Sequence, residues 1–394
     1  MKVKATPGDF VVREESGVAL SPHPGPFAYF RLAKTSWDTF DLIDLISRKL
    51  RVSNRDIRVG GFKDRHGDTE QLVSIRGLHG RPGPLQEANF RLTFEGWSDE
   101  PISAKSIRGN RFTITLRDLT EGEASWISAN APEAARDGVP NYYDEQRFGS
   151  ARHGKGFLGK ELFLGRREQA LRLYFTPSNH DEQRIRKLKR CVTENWGHWE
   201  RCSELGIGEY GRILAYLGQN PRAYHEALRK IDRRFLVFAL NAYQSFLFNE
   251  ILARWLRGWS AQAKAQLSPV RYRHGTYEFF RGLDAGAAAE LHRTALPVPG
   301  HDTRVSDPRI RSILEAVLEA EGIELADLRV RQMSGIRVGG VERAAVVIPE
   351  GLRVSERSDD ERYPGRLRMT LEFFLPRGSY ATILLKRLIL APAR

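Results

Sequence analysis

The sequence predicts an α+β fold with a large helical insertion, and three observations carry that prediction. Strand-like patterns lie near both ends of the 394-residue chain. The middle has helical periodicity instead. Charge is divided in the same way: residues 1–150 hold 21 bases and 21 acids, residues 151–340 hold 31 and 21, and residues 341–394 hold 10 and 7. A β-rich domain built from 1–150 and 341–394, interrupted by a basic domain at 151–340, accommodates all three.

The elements follow in order. Residues 27–32 and 57–62 read as strands, and residues 36–50 as a helix with Ser36 at its N-cap and Phe40, Ile43, Ile46 and Leu50 on one face. Residues 71–76 read as a strand across a polar connector from 57–62, and residues 91–95 and 111–116 alternate as half-buried strands do. A helix is expected at about 121–137, then a polar loop to Gly149. Helical patterns occupy 205–217, 221–230 and 235–259, where Trp255 and Trp259 stand one turn apart and read as core. The Pro/Gly-rich residues 296–300 read as a loop, 344–348 and 366–375 as strands, and 379–390 as a closing helix capped by Ser379.

Composition narrows the function classes. With 41% hydrophobic, 28% charged and 10% aromatic residues, the chain has the material for a packed core and is not disordered. The net charge is +13, and 49 of the 62 bases are Arg, whose planar fork suits phosphate. Eleven bases against four acids fill residues 152–190, interleaved with His153, Tyr174 and Phe175, a pattern that suits RNA. Two cysteines, Cys191 and Cys202, exclude a disulfide scaffold and fit a reducing compartment. The longest apolar run is six residues, 235–240, and no apolar h-region follows Met1, so the expectation is a cytoplasmic protein without a membrane span or secretory signal.

Several patterns suggest chemistry. Gly206-Ile-Gly-Glu-Tyr-Gly211 spells G-x-G-x-x-G but follows no strand, and so reads as a turn before a helix. Cys191, His198 and Cys202 offer three metal ligands without a C-x-x-C pair or a fourth donor. The segment from Gly60 to Gln71 sets Asp64 between Lys63 and Arg65, whose charges favour an ionised carboxylate. In the segment from Asn141 to Gly149, aromatics beside Asn and Arg can stack on a base and hold its edge.

Taken together, the motifs resemble the TruD family of pseudouridine synthases. Gly61-Phe-Lys-Asp-Arg-His with Thr69-Glu-Gln71 is similar to the family's G-x-K-D-(R/K)-x-x-x-T-x-Q. Pro140-Asn-Tyr-Tyr with Gln146-Arg-Phe-Gly149 resembles P-N-Y-F…Q-R-F-G, with Tyr143 in place of Phe. Asp9-Phe-Val-Val-Arg-Glu14, Ala242-Tyr-Gln-Ser-Phe-Leu-Phe-Asn249 and Leu375-Pro-Arg-Gly-Ser-Tyr-Ala-Thr382 are similar to three further motifs, and all five occur in family order. The resemblance implies a pseudouridine synthase fold with a mixed or antiparallel sheet, interrupted by a family-specific, mainly helical α/β insertion domain.

It also implies a function: conversion of a tRNA uridine to pseudouridine, with uridine 13 of the D arm as the expected target. No cofactor or metal is expected, because the isomerisation involves neither redox change nor hydrolysis, and no protein partner is implied. Asp64 is the expected catalytic carboxylate, whether it attacks sugar or base or removes a sugar proton. Asp68 is a second carboxylate four residues on, outside the motif position. Phe10, Tyr143 and Tyr380 are expected to stack on the flipped base and Asn141 to hydrogen-bond the substrate. Gln71 completes the motif, and Lys63, Arg65 or Arg147 would pair with Asp64 or a phosphate. Lys155, Arg184, Arg186, Lys187, Lys189 and Arg190 are the expected RNA-binding bases. The competing readings are a non-catalytic RNA-binding or assembly protein, which would not need Asp64, and a phosphoryl-transfer enzyme, which would need a phosphate loop.

Overall fold

Alternating apolar residues at both ends of the chain fold into one sheet, and the helical middle folds by itself. The structure, a computed structural model, describes residues 1–391 except 62, 64–66, 79, 81, 82, 331–334 and 337. Two compact units divide the chain, Met1–Val139 with Val347–Arg394, and Pro140–Val346. The changeovers thus fall at 139/140 and 346/347, where composition suggested 150 and 340, because the loop after Val139 packs as part of the insertion unit.

The first unit opens with β1 (Phe10–Ser16), β2 (Phe27–Thr35), α1 (Thr39–Leu50), β3 (Ile57–Val59), β4 (Asp68–Arg76), β5 (Leu85–Glu87), β6 (Phe90–Ser98), β7 (Ile107–Leu119) and α2 (Glu121–Asp137). At α2 the Thr120 hydroxyl accepts from Glu123 N–H while the Glu123 carboxylate accepts from Thr120 N–H, a capping box that fixes the start of the helix. A two-residue strand β8 (Val139–Pro140) leads into the insertion.

The insertion holds α3 (Leu158–Phe163), α4 (Arg167–Tyr174), α5 (Gln183–Glu194), α6 (Gly208–Gln219), α7 (Tyr224–Leu228) and α8 (Arg233–Ala263). After them come the hairpin β9 (Gln266–Tyr272) and β10 (Gly275–Arg281), then α9 (Ala285–Arg293), β11 (Ala295–Val298), α10 (Pro308–Glu321) and β12 (Val341–Ala344). Helix α8 is apolar on nearly every side and forms the centre of this unit. By length and composition it could cross a membrane, but 72% of its most apolar window is buried inside the protein, as in a core helix.

The chain then returns with β13 (Val346–Val347), β14 (Glu350–Val354), β15 (Ser358–Asp359), β16 (Leu367–Pro376) and α11 (Ala381–Leu388). Among the described residues ten strands form one mixed sheet in the order β14-β16-β7-β1-β4-β2-β6-β5, with β15 on β16 and β3 on β4. Only the β1–β4 pairing in it is parallel among the described residues. Phe112, Ile114, Leu371 and Phe373 of the central strands pack with Ile127 of α2 and Leu384 of α11. Leu42 and Ile46 of α1 pack with Phe30, Val73 and Leu92.

Three local expectations are corrected. Helix α1 begins at Thr39, because Asp38 caps it by accepting from Phe40 N–H, while Ser36 sits in a left-handed turn at φ 58°. Helix α11 starts after Tyr380, since Ser379 N–H is turned back onto the Pro376 carbonyl. Residues 295–298 form a strand rather than a loop; an isolated two-stranded ribbon tolerates Pro297, which stands opposite Glu342.

Candidate active site

The loop after β3 is held through its flanking residues. Glu14 of β1 has a fully buried side chain, and its Oε2 lies 2.5 Å from Lys63 Nζ, which is 9% exposed. The same ammonium donates to Asn110 Oδ1 at 2.7 Å, and Glu14 Oε1 accepts from Leu72 N–H at 3.1 Å. Gln71 Nε2 donates to the Gly61 carbonyl at 3.2 Å. At the other end of the loop Gly67 approaches β1 so closely that a Cβ there would sit 2.6 Å from the Phe10 carbonyl oxygen, so only glycine fits. Burying Lys63 and Glu14 is costly, and their mutual pairing plus the amide partners offset it. The Thr69 hydroxyl and Gln71 Oε1 are buried without a hydrogen-bond partner among the described residues.

Asp64 and Arg65, both expected site residues, lie outside the described residues. Asp68 opens β4 and accepts from the Thr35 hydroxyl at 2.6 Å. Lys63 is engaged by Glu14 and Asn110, so the structure gives it a holding role in the loop. Phe10 is 5% exposed, packs edge-on against Phe112 and lies under Lys4 Nζ, which leaves its ring in the core and not on offer to a base. Tyr380 is half-buried at the start of α11.

The second group of expected residues belongs to the insertion unit. Asn249 of α8 clamps the Tyr143 peptide: its Oδ1 accepts from Tyr143 N–H and its Nδ2 donates to the Tyr143 carbonyl, both at 2.9 Å. Arg147 Nε donates to the Ser245 hydroxyl at 3.0 Å. Two sequence motifs that are a hundred residues apart are therefore parts of one hydrogen-bonded assembly. Burial raises the Tyr142 phenol well above its ordinary pKa, and its oxygen accepts from Glu278 N–H at 3.0 Å.

Sequence reasoning missed Arg343. Its guanidinium carbon stands 4.1 Å from the centroid of the Tyr143 ring. Its Nη2 donates to Asn141 Oδ1 at 2.6 Å and its Nε to the Asn141 carbonyl at 2.9 Å. Asn141 Nδ2 donates to the Ala344 carbonyl at 3.1 Å, and its second amide hydrogen has no partner among the described residues. Nothing local in the sequence around Val341–Ala344 marks this arginine; only the fold brings it to the motif.

The expected RNA-binding bases separate into two kinds. Lys155, Arg184, Lys187 and Arg190 are exposed. Lys189 is buried and shares both Asp181 oxygens at 3.1 Å, and Arg186 Nη2 donates to the Asn179 and Asp181 carbonyls at 2.8 Å. These two bases brace the turn before α5. Tyr174 and Phe175, expected among the stacking aromatics, are buried because they lie on the apolar side of the α4 end. Cys191 and Cys202 are joined as a disulfide, where free thiols were expected, because α5 and the turn at Trp199–Leu205 bring them together. The pair rules out the three-ligand metal reading. Gly206, at the end of the preceding turn, meets Gly211 in the first turn of α6, where a Cβ on Gly206 would lie 2.9 Å from Gly211 Cα, so this G-x-G-x-x-G is a packing device.

Comparison with known proteins gives the family and the fold. Residues 1–388 match the family described as tRNA pseudouridine synthase D (TruD). The Methanococcus maripaludis protein named "Probable tRNA pseudouridine synthase D 1" is 31% identical over 393 residues, covering 98% of this chain and 99% of its own. A tRNA pseudouridine synthase D from Leptospira interrogans is 28% identical over 402 residues, covering 98% and 96%. A crystal structure assigned to tRNA pseudouridine synthase D from Methanosarcina mazei shares the fold, with a TM-score of 0.71 at 24% identity over 98% of this chain and 93% of that one. With its mixed sheet, its helical insertion and a match over nearly its whole length, the chain belongs to the TruD family of pseudouridine synthases and is an isomerase.

Proposed function

We propose that this enzyme converts one uridine of a tRNA, uridine 13 in the D arm, to pseudouridine, using Asp64 as its single catalytic aspartate. In that reaction the N1–C1′ bond breaks, the base turns, and a C5–C1′ bond forms while the C5 hydrogen is lost and N1 gains one. The product is an isomer, so no oxidant, reductant or water is consumed. The observation that supports the reading is the anchoring of the residues around position 64: Lys63 is held by Glu14 and Asn110, and Gln71 donates to the Gly61 carbonyl. In this reading Tyr143 and Tyr380 stack on the flipped base and Asn141 holds its edge with the remaining amide hydrogen. Arg147 and the exposed Lys155, Arg184, Lys187 and Arg190 bind phosphates.

Asp64→Asn should abolish pseudouridine formation in an unmodified tRNA transcript, while tRNA affinity stays within about tenfold. Asp68→Asn should remain active. An active Asp64→Asn enzyme refutes the assignment, and product formed equally in a transcript with cytidine at position 13 refutes the target.

A further inference from the structure

Inside the insertion unit lies a cavity of about 180 Å³ that the motifs reach only at Gly149, the end of the Gln146–Gly149 segment. One water requires roughly 10–15 Å³, so the space is an order of magnitude too large for a single buried solvent molecule. Its walls include Tyr174, Tyr210 and Phe235, and its polar groups are His153, Asp181 and Lys189. Tyr210 comes from the first turn of α6, within the G-x-G-x-x-G segment, and His153, Asp181 and Lys189 from the basic stretch, two features that the reaction itself leaves without a role.

The hydrogen bonding of the lining is unbalanced at one atom. His153 Nδ1 accepts from Lys155 N–H at 3.0 Å, which in the neutral ring puts the proton on Nε2. Nε2 is buried and has no hydrogen-bond partner among the described residues. The ring is held neutral: burial first and the Lys189 ammonium second push its pKa down to about 4, against the opposing pull of Asp181 and the Ser150 carbonyl. Lys189 is neutralised by Asp181, whose Oδ2 also accepts from Ser178 N–H at 2.7 Å. Arg152, which also lines the cavity, is exposed. The buried lining therefore offers an N–H donor between aromatic walls and, with Lys189 paired to Asp181, no uncompensated buried positive charge. A phosphate would require such a charge; a planar base with a carbonyl or ring-nitrogen acceptor would not.

We propose that this cavity receives an unstacked nucleobase of the bound RNA, distinct from the uridine that is isomerised, and that His153 Nε2–H donates to its acceptor edge. The cavity has no role in the chemistry, because its one carboxylate is fully engaged by Lys189 and Ser178. Exposed Arg152 and His180 also line it, beside the basic surface of α5. The inference rests on the reading that the chain binds tRNA.

The test uses the full-length protein, an unmodified tRNA transcript and, as small probes, the four nucleoside 5′-monophosphates against inorganic phosphate. His153→Phe keeps a ring in place and removes the donor, and Thr176→Trp fills the space from its half-buried lining. Each should weaken tRNA binding about tenfold and abolish saturation-transfer signals from at least one nucleotide base. Thermal melting of His153→Phe should stay level or rise, since an unsatisfied buried donor is gone. If both variants melt like the parent and bind tRNA and nucleotides equally well, the cavity holds only water and the proposal falls. If inorganic phosphate displaces the nucleotides, the site recognises phosphate and the proposal also falls. An unaltered protein that binds no tRNA overturns the function reading along with it, whereas a dead Asp64→Asn enzyme beside tight-binding His153→Phe overturns this inference alone.

Discussion

The two units hold their candidate residues by opposite means. In the sheet unit the loop is tied by a buried ion pair, Lys63–Glu14, with amides completing the shell. In the insertion unit the corresponding motif is held by hydrogen bonds and ring contacts without a buried ion pair in the set: the Asn249 amide on the Tyr143 peptide, the Tyr277 hydroxyl on Asp144, and the Arg343 guanidinium over the Tyr143 ring. Buried charge gives directionality but fails severely when one partner is lost; amide and aromatic packing loses stability in smaller steps.

The largest effect expected from this contrast is at Glu14. Glu14→Ala leaves Lys63 charged and buried without its partner and should cost about 3–5 kcal/mol in chemical denaturation, with pseudouridine formation falling in parallel. A loss below about 1 kcal/mol would show that Lys63 escapes to solvent and that the pair is weak.

At Arg343 the expected change is in turnover more than in stability. Arg343→Ala should lower the rate of pseudouridine formation about 10- to 100-fold while costing about 1–2 kcal/mol of stability. Arg343→Lys should not restore the rate, because an ammonium cannot stack on Tyr143 and bridge both Asn141 acceptors. Rescue by lysine would reduce the role to charge.

Acidification should separate the units. His153 and His274 are both held down to about 4, chiefly by burial. Protons bind the unfolded imidazoles first, so the insertion unit loses stability as pH falls from about 6.5 towards 4. Burial would raise Asp360 in the sheet unit, but the Asp118 and Arg362 N–H groups and the Arg117 guanidinium outweigh it and hold its pKa below the usual range. That contribution is complete at neutral pH and is lost only below about pH 4. Hydrogen exchange at pH 5 should therefore show earlier opening in residues 140–346 than in the sheet, and simultaneous opening would contradict the difference.

The smallest effect is expected on the exposed face of α5. Reversing Arg184, Lys187 and Arg190 should weaken tRNA binding and flatten its salt dependence by about 0.7–0.9 per lost phosphate contact. The same reversal at Lys189 should lower stability instead, since Lys189 is paired with Asp181.

Local patterns were readable where local physics decides the structure. The helical stretch of α2, the alternation in β7 and the long apolar helix α8 all appear in short windows of sequence. The motifs identified Tyr143 and Asn141, but the partners that hold them come from distant segments, Asn249 and Arg343. Position along the chain says nothing about such pairings. Lys189 looked like its exposed neighbours because a charge count cannot distinguish a base that faces solvent from one that folds back onto Asp181. Ser36 was a plausible cap by type, and Asp38, two residues on, supplies the actual acceptor.

The pairing of β7 with β16 has a consequence for the order in which the molecule is made. Thr115 and Thr370 face each other across that seam, with the whole insertion between them in sequence. During synthesis β7 emerges long before its partner, and its outer edge stays open for roughly 250 residues of translation, on the order of ten seconds or more. The insertion has all of its own core by residue 346 and can fold in that interval, while the sheet waits. Chains released early would present the apolar face of β7 as an unpaired strand. Expression should therefore be most vulnerable to stalling after residue 119 and before residue 376, a liability that mutations within the finished fold would not reveal.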